Sequence, residues 1–243
     1  MRVASFDIGS KNFAFVIEQF RPESYHDIVA TLSKPKKSTY QAWAESPGYQ
    51  EALHDVFLEG KVLRSKVVDL TEGRYANDAP EVFINMWKLM GRYLPLFDDC
   101  DIVLIEEQLQ WVTRNNIAVK LAQHCISFFL FHYGTFKTVW EYPAYYKYRV
   151  LGAPWKMPKY QRKKWAGQLG EQIGHERKDR RYLASVARAP KADDVADCLL
   201  QLQSFKMLRE LPPGFFCTKQ PTKKRRRKTR KAPYPDLRGI ISL

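Results

Sequence analysis

The sequence has no apolar run of the roughly 20 residues that a membrane-spanning helix needs, which excludes a helical membrane anchor. Cysteine is scarce. Cys100, Cys125, Cys198 and Cys217 are widely scattered and none stands in a C-x-x-C or zinc-ribbon spacing; three lie in apolar contexts, where a thiol behaves as a small hydrophobe. That usage suits a reducing compartment. No leader-like segment precedes the first strand-like run, which begins almost at Met1, so no cleaved presequence is expected. A glycine-rich phosphate cradle is also missing, which argues against a sugar-kinase-like enzyme. Acid is in the minority. The 26 Asp and Glu residues face 40 Lys and Arg residues, giving a formal net charge of +14 that suits a polyanionic partner such as nucleic acid.

What is present supports a compact core. The chain of 243 residues is 45% hydrophobic and 14% aromatic, enough for one sizeable domain. Val3 to Ile8, the polar turn Gly9-Ser10-Lys11-Asn12 and Phe13 to Ile17 read as two antiparallel strands, with Asp7 near the end of the first. A carboxylate in that apolar setting must be hydrogen-bonded, shifted in pKa or bound to a cation. Residues 21 to 64 read as an insertion of loop and short helices, in which Tyr40, Trp43 and Tyr49 serve either as local packing anchors or as DNA contacts. Lys66 to Leu70 resumes the strand pattern, and residues 81 to 94 have helical recurrence, limited by Pro95.

Asp101 to Glu106 contains four consecutive apolar residues, as in an interior strand covered on both faces, and ends in acid. Alternation puts Ile102, Leu104 and Glu106 on one face and Glu107 on the other. A long helix is expected from about Asn115 to Phe131, capped by Asn115 or Asn116. A short strand follows at Thr138 to Glu141. Tyr142 to Lys159 then mixes tyrosines with Lys and Arg, suited equally to stacking on exposed bases and to packing a loop onto the domain. Residues 159 to 183 are charged and helical in pattern, with Arg162-Lys163-Lys164 as a basic run and Gly167 and Gly170 as weak points.

Lys191 to Leu202 carries a helical apolar stripe with Asp194 and Asp197 three apart, so both face one point. Beyond Leu211 the chain changes to a basic tail, residues 212 to 243, in which Lys223, Lys224, Arg225, Arg226 and Arg227 have no core periodicity. Such a run can track phosphates, direct nuclear import or keep the protein soluble.

Three distant segments thus each deliver acid to a strand end or helix face: Asp7, Glu106, and Asp194 with Asp197. Like charges brought together need compensation, and an oxygen-only donor set favours Mg²⁺ or Mn²⁺ over zinc. Two such ions activate water and stabilise the departing oxygen of a phosphodiester. Each acid alone has a plainer reading as a turn acceptor, a lysine partner or a helix cap. Together with the basic surface they point to metal-dependent nucleic-acid chemistry.

Asp7-Ile8-Gly9-Ser10-Lys11-Asn12, Ile105-Glu106-Glu107-Gln108 and Lys191-Ala192-Asp193-Asp194-Val195-Ala196-Asp197 resemble the successive signatures of the RuvC-type Holliday junction resolvases, particularly the poxvirus, iridovirus and yeast mitochondrial branch. The resemblance extends over most of residues 1 to 207. It implies an α/β ribonuclease H-like fold with a mixed five-stranded sheet flanked by helices, a homodimer, and Mg²⁺-dependent paired nicking of four-way DNA junctions inside cells, at sites of replication or recombination. Asp7, Glu106, Asp194 and Asp197 match the metal-binding acids, two ions being implied. Lys191 matches a basic position before the last acid pair, placed to contact a scissile phosphate, and Gly9 a position of close approach. Lys11, Gln108, Arg114, the Arg162-Lys163-Lys164 run and the basic tail are assigned to nucleic acid. The long insertion and the tail depart from the family pattern and bear on substrate choice. Two alternatives stand beside this reading: a non-catalytic nucleic-acid-binding protein that keeps the fold, and a ribonuclease H-like nuclease with another substrate.

Overall fold

A computed structural model describes residues 1–32, 44–108, 116–154, 156–189 and 191–211. Strands β1 (Arg2–Asp7) and β2 (Phe13–Gln19) form the expected antiparallel pair, with Asp7 opposite Ala14. The turn between them is tight at Gly9, where a Cβ would come within 3.3 Å of the Asn12 carbonyl oxygen. After a 3-10 turn at Pro22–Ser24 come the short helix α1 (His26–Ala30) and helix α2 (Pro47–Leu58). Tyr49 on α2 is fully buried and donates to the Val150 carbonyl at 2.5 Å, so it is a packing anchor; Tyr40 and Trp43 lie outside the described residues.

Strand β3 (Lys61–Val68) starts inside the expected insertion and ends two residues before the expected Leu70. Its register against β2 shifts between Ile17 and Glu18, and Lys61, Arg64 and Lys66 are exposed along this edge. A bulge and a row of edge cations both break the alternation by which a strand is read. Helices α3 (Pro80–Arg92) and α4 (Leu94–Asp98) precede β4 (Ile102–Glu106), which runs parallel to β1. Helix α5 (Ile117–Tyr133) opens on Asn116, whose side chain accepts from the Ala118 amide at 3.1 Å. Strand β5 (Thr138–Tyr142) then lies parallel to β4 and completes a sheet of order β3-β2-β1-β4-β5. This is the mixed five-stranded α/β architecture that the sequence predicts.

One sheet face is closed by α3, α4 and α5 over an aromatic cluster in which Phe6 sits 5.6 Å from Phe97 and 5.5 Å from Phe129. The other receives α6 (Tyr145–Val150), α7 (Lys159–Glu176), α8 (Arg180–Arg188) and α9 (Ala192–Glu210). The expected helix over 159 to 183 is therefore two helices, broken at Asp179. That buried carboxylate caps α8 through the Tyr182 amide and also accepts from the Val62 amide of β3 at 2.8 Å. Helix α9 is buried almost throughout, even at Lys206 and Gln203, because it crosses β1 and β2 while α6, α7 and α8 cover its outer side.

Candidate active site

Asp7 and Glu106 are the last residues of two adjacent parallel strands, paired through Phe6 and Ile105, so both acids leave the sheet at the same end. Alternation also puts them on the same face. Ser5 stands opposite Leu104, and Asp7 and Glu106 each follow two residues later. Glu107 points away, exposed, with its amide bound to the Tyr142 carbonyl at 2.9 Å. The first turns of α9 add Asp194 and Asp197, both buried. Asp7, Glu106 and Asp197 lie within each other's fields at this end of the sheet, whereas Asp194 has Asp193, Lys163, Lys191 and Asp197 as its charged neighbours.

A cation missed by the sequence reading sits among these acids. Lys147, on α6, has a side chain only 3% exposed, and its Nζ lies 2.9 Å from Glu106 Oε1 and 2.9 Å from Asp197 Oδ1. In sequence it is one basic residue in an aromatic-basic run. The signal that identifies it is topological: β5 ends at Tyr142 directly beside Glu106, so the first cation past that end is delivered to the acid.

The electrostatics follow from burial and like charge. Burial and then the neighbouring Glu106 carboxylate hold Asp7 well above the usual carboxylate range, against the pull of Lys147. Burial would also raise Glu106, but the Lys147 ammonium and the hydrogen bonds with Asp7, Lys147 and Gln108 together outweigh it and hold that carboxyl low. Burial raises Asp197. It also raises Asp194, to about 6 with help from Asp193 and against Lys163 and Lys191. Burial would lower Lys147, yet Glu106, Asp197 and Asp7 keep its proton firmly on. This is a cluster with more negative charge than one lysine balances.

No family model matches the chain. It is 26% identical over 212 residues to the uncharacterised protein 97L of Invertebrate iridescent virus 3, covering 85% of this chain and 100% of that one. To the uncharacterised protein 170L of Invertebrate iridescent virus 6 it is 26% identical over 231 residues, covering 85% and 89%. Among solved structures, the fowlpox virus resolvase bound to substrate Holliday junction DNA aligns with a TM-score of 0.51 at 18% identity, over 86% of this chain and 99% of that one. RuvC of Thermus thermophilus aligns with a TM-score of 0.50 at 14% identity, over 86% and 98%. The fold is that of the RuvC-type Holliday junction resolvases.

Within this RuvC-type fold the remaining sequence-predicted residues take varied positions. Lys191 is exposed at the cap of α9, and its Nζ lies 3.2 Å from the Asn12 amide oxygen once that amide is turned to satisfy both its groups. Lys11 is exposed in the β1–β2 turn. Gln108 Nε2 donates to the Glu106 carbonyl at 3.2 Å, beside the acid and held on its backbone. Lys163 is ion-paired with Asp193, Lys164 is exposed, and Arg162 lies over the Tyr148 ring at 5.4 Å. Arg114 and Lys223, Lys224, Arg225, Arg226 and Arg227 lie outside the described residues.

The donors can be tested for a hard divalent ion. All four acids offer oxygen only, and Asp194 Oδ2 is buried with no hydrogen-bond partner among the described residues, which leaves lone pairs free for a cation. Among those residues no three acid, His or Cys side chains already surround a common ion position, because the charge between Glu106 and Asp197 is Lys147. The donor chemistry suits Mg²⁺, with Lys147 as the group that must yield part of its hold.

Proposed function

We propose that the protein is a metal-dependent, structure-selective endodeoxyribonuclease that resolves four-way DNA junctions by paired symmetric nicks. The observation that carries this is the meeting of Asp7, Glu106 and Asp197 around the buried Lys147 at the end of β1 and β4. The likeness in fold to the fowlpox virus resolvase solved with substrate Holliday junction DNA supports the choice of substrate.

Asp7, Glu106, Asp194 and Asp197 would hold Mg²⁺, with Mn²⁺ as a substitute and two ions per site. When bound, such ions supply activated water and charge stabilisation at the scissile phosphate. Lys147 donates to Glu106 and forms an ion pair with Asp197, so it holds the two carboxylates in place while its positive charge would attract a phosphate oxygen. Lys191, exposed at the start of α9, reaches the same phosphate from the solvent side. Lys11, Gln108, Arg114, Arg162, Lys163, Lys164 and the basic tail beyond residue 211 steer the arms of the junction through their phosphates.

Two opposed cuts require two sites, so the working form is a homodimer. The outer side of α5 and the loop after it expose Leu130, Phe131 at 77% and Phe136 at 96%, an apolar surface that a second copy would cover. No helix among the described residues is long and apolar enough to cross a membrane. Viral relatives support a site of action where viral DNA replicates or recombines. The test is cleavage of matched four-way junction, duplex, RNA–DNA hybrid and single strand, with Mg²⁺ or chelator. Symmetric cuts near the branch of the junction alone are expected; cutting of the hybrid without the junction would sink the resolvase reading, and binding without any cutting would favour a silent binder.

A further inference from the structure

A groove of about 300 Å³ lies between the edge strand β3 and the end of α8. Ser65, Lys66 and Val67 contribute to its wall from β3, Arg188 and Ala189 from the end of α8, and Val195 from α9. No acid lines it among the described residues. Pro190, next in sequence to Ala189, lies outside those residues, and a proline side chain carries neither charge nor hydrogen-bonding group. Arg64 also belongs to the wall, but its guanidinium is already engaged, donating to the Tyr93 hydroxyl at 3.1 Å and lying 5.2 Å from the centre of that ring. The other two cations have free ends. The Lys66 ammonium makes no hydrogen bond, ion pair or ring contact among the described residues, and Arg188 uses only Nε, on the Ala184 carbonyl at 2.8 Å. The Ser65 hydroxyl has no hydrogen-bond partner among them either. Two open cationic ends and a hydroxyl suit the oxygens of a phosphate.

The sheet puts this groove beside the acid cluster. Ala14 stands opposite Asp7 on one side and opposite Val67 on the other, so Asp7, Ala14 and Val67 form one row across three strands, with their side chains on a common face. Neighbouring strands are about 4.8 Å apart, which separates Asp7 from Val67 by about 10 Å. Val195 follows Asp194 directly in α9, so the groove adjoins the acids from the helix side as well. One strand of DNA carries a charge about every 3.4 Å along the helix axis, so the groove lies within about three steps of a phosphate held at the acids. The volume is at the lower end of the roughly 300–1,000 Å³ that organic ligands fill, and it is more than a lone phosphate needs. An acidic peptide laid along the β3 edge would match the charge but would have no connection to the acids. The backbone of the strand being cut accounts for both the charge and the position.

We propose that the groove between β3 and α8 is a backbone track: it seats a phosphate of the DNA strand flanking the scissile one, with Lys66 and Arg188 contacting it from two sides and the Ser65 hydroxyl donating to one of its oxygens. The track rests on the nuclease reading of the acid cluster for the identity of its strand. Contacts to phosphate carry no sequence information, but they fix the register of a strand against the protein. A phosphate held at a set distance from Asp7 therefore decides which neighbouring phosphate meets the acids, and with it where the cut falls.

The test measures binding of a four-way junction by the full-length protein in chelator over a series of salt concentrations, followed by cleavage in Mg²⁺. Lys66→Gln and Arg188→Gln, both at exposed positions, are each expected to bind about 5- to 10-fold more weakly at about 0.1 M salt and to flatten the slope of log K against log salt by about 0.9, the counterion-release value of one phosphate. Lys66→Arg should restore both. Lys88→Gln makes the same change of charge at an exposed position on α3, against the opposite face of the sheet, and should match the wild type. A neutral methylphosphonate placed in turn at each phosphate within about three steps of the cut should weaken the wild type at one position and cost Lys66→Gln nothing further there; the same position should let the cut spread to neighbouring phosphates. Unchanged affinity and slope in Lys66→Gln and Arg188→Gln, with cutting by the wild type intact, would overturn the track and leave the proposed nuclease standing. Stabilisation of the wild type by inorganic phosphate at matched ionic strength, lost in Lys66→Gln while junction affinity stays the same, would make the groove a small-anion site and overturn the track as well. The expected losses without any Mg²⁺-dependent cutting by the wild type would uphold the track and overturn the nuclease. Failure of the wild type to bind the junction overturns both.

Discussion

Lys147 Nζ stands 2.9 Å from Asp197 Oδ1, joining the short helix after β5 to the long helix that closes the sheet. The same ammonium meets Glu106 at 2.9 Å, so one buried cation ties the end of β4 to α9, two of the three segments that deliver the acid cluster. Replacing it with a neutral side chain of similar length removes the balance from Glu106 and Asp197. Lys147→Met is therefore expected to lose about 10²–10³-fold in cleavage rate and, in chelator, about 3–5 kcal/mol of stability. Added Mg²⁺ should raise the Tm of Lys147→Met more than that of the wild type, because the ion replaces the missing charge. Equal Mg²⁺ responses in the two proteins would mean that the acids do not share a cation site.

Burial and the neighbouring Glu106 hold the Asp7 carboxyl well above its ordinary range. Asp7→Asn keeps the shape and removes the acid whose charged form burial and Glu106 disfavour. Cleavage should fall by at least about 10²-fold while junction affinity is retained, and the Tm in chelator should rise. A gel-shift titration, a cleavage time course and a thermal melt on the same preparation separate these effects. Preserved cleavage would take Asp7 out of the centre of the mechanism.

The parts of this arrangement legible in the sequence are those carried by local pattern. The apolar run into Asp7, the apolar run into Glu106 and the aspartates of α9 each announce a strand end or helix face by periodicity, and the sheet then brings them together. Lys147 was not legible, because its role depends on β5 lying beside β4, a long-range pairing that no local period encodes. Strand β3 was misjudged for the opposite reason, its local pattern being blurred by a bulge and by exposed edge cations. The split of the 159 to 183 segment at Asp179 was hidden as well, since that residue reads as one more charge and acts as a buried cap tied to β3.

Glu18 on β2 anchors a second buried ionic group, remote from the acid cluster. Its carboxylate accepts from Arg177 at 2.9 Å, Lys206 at 3.1 Å and Gln203 at 2.9 Å, all three closing over the sheet. Burial alone would raise Glu18, but Lys206 and Arg177 together hold it below the usual range. A depressed carboxyl contributes stability above the unfolded value, near 4.3, and loses it as pH falls through the lower folded value. Glu18→Gln should cost about 3–5 kcal/mol at neutral pH by leaving two buried cations without their carboxylate, and should flatten the loss of stability between about pH 4 and the acid extreme. Urea titrations of both proteins across that range test it; parallel acid limbs would remove Glu18 from the pH dependence.

Gly170 sets how closely α7 approaches the helix that carries Asp194 and Asp197. A Cβ at this position would come 2.9 Å from the Cβ of Ala196 and 2.5 Å from the Tyr182 hydroxyl. Ala196 lies between Asp194 and Asp197, so any outward shift of α9 there moves both acids relative to Asp7 and Glu106 on the sheet. Overpacking of this kind costs about 1–3 kcal/mol, which a stable domain survives folded, whereas a misplacement of about 1 Å at a reacting centre can cost 10²-fold in rate. Gly170→Ala is expected to give a folded protein with a modestly lowered Tm and a far larger loss of cleavage, its junction affinity unchanged. Gly167→Ala, on the same helix with open space around the added methyl, is the control that should leave cleavage intact. Similar rate losses in both variants would show that the helix itself, and not its spacing from α9, is what the substitution disturbs.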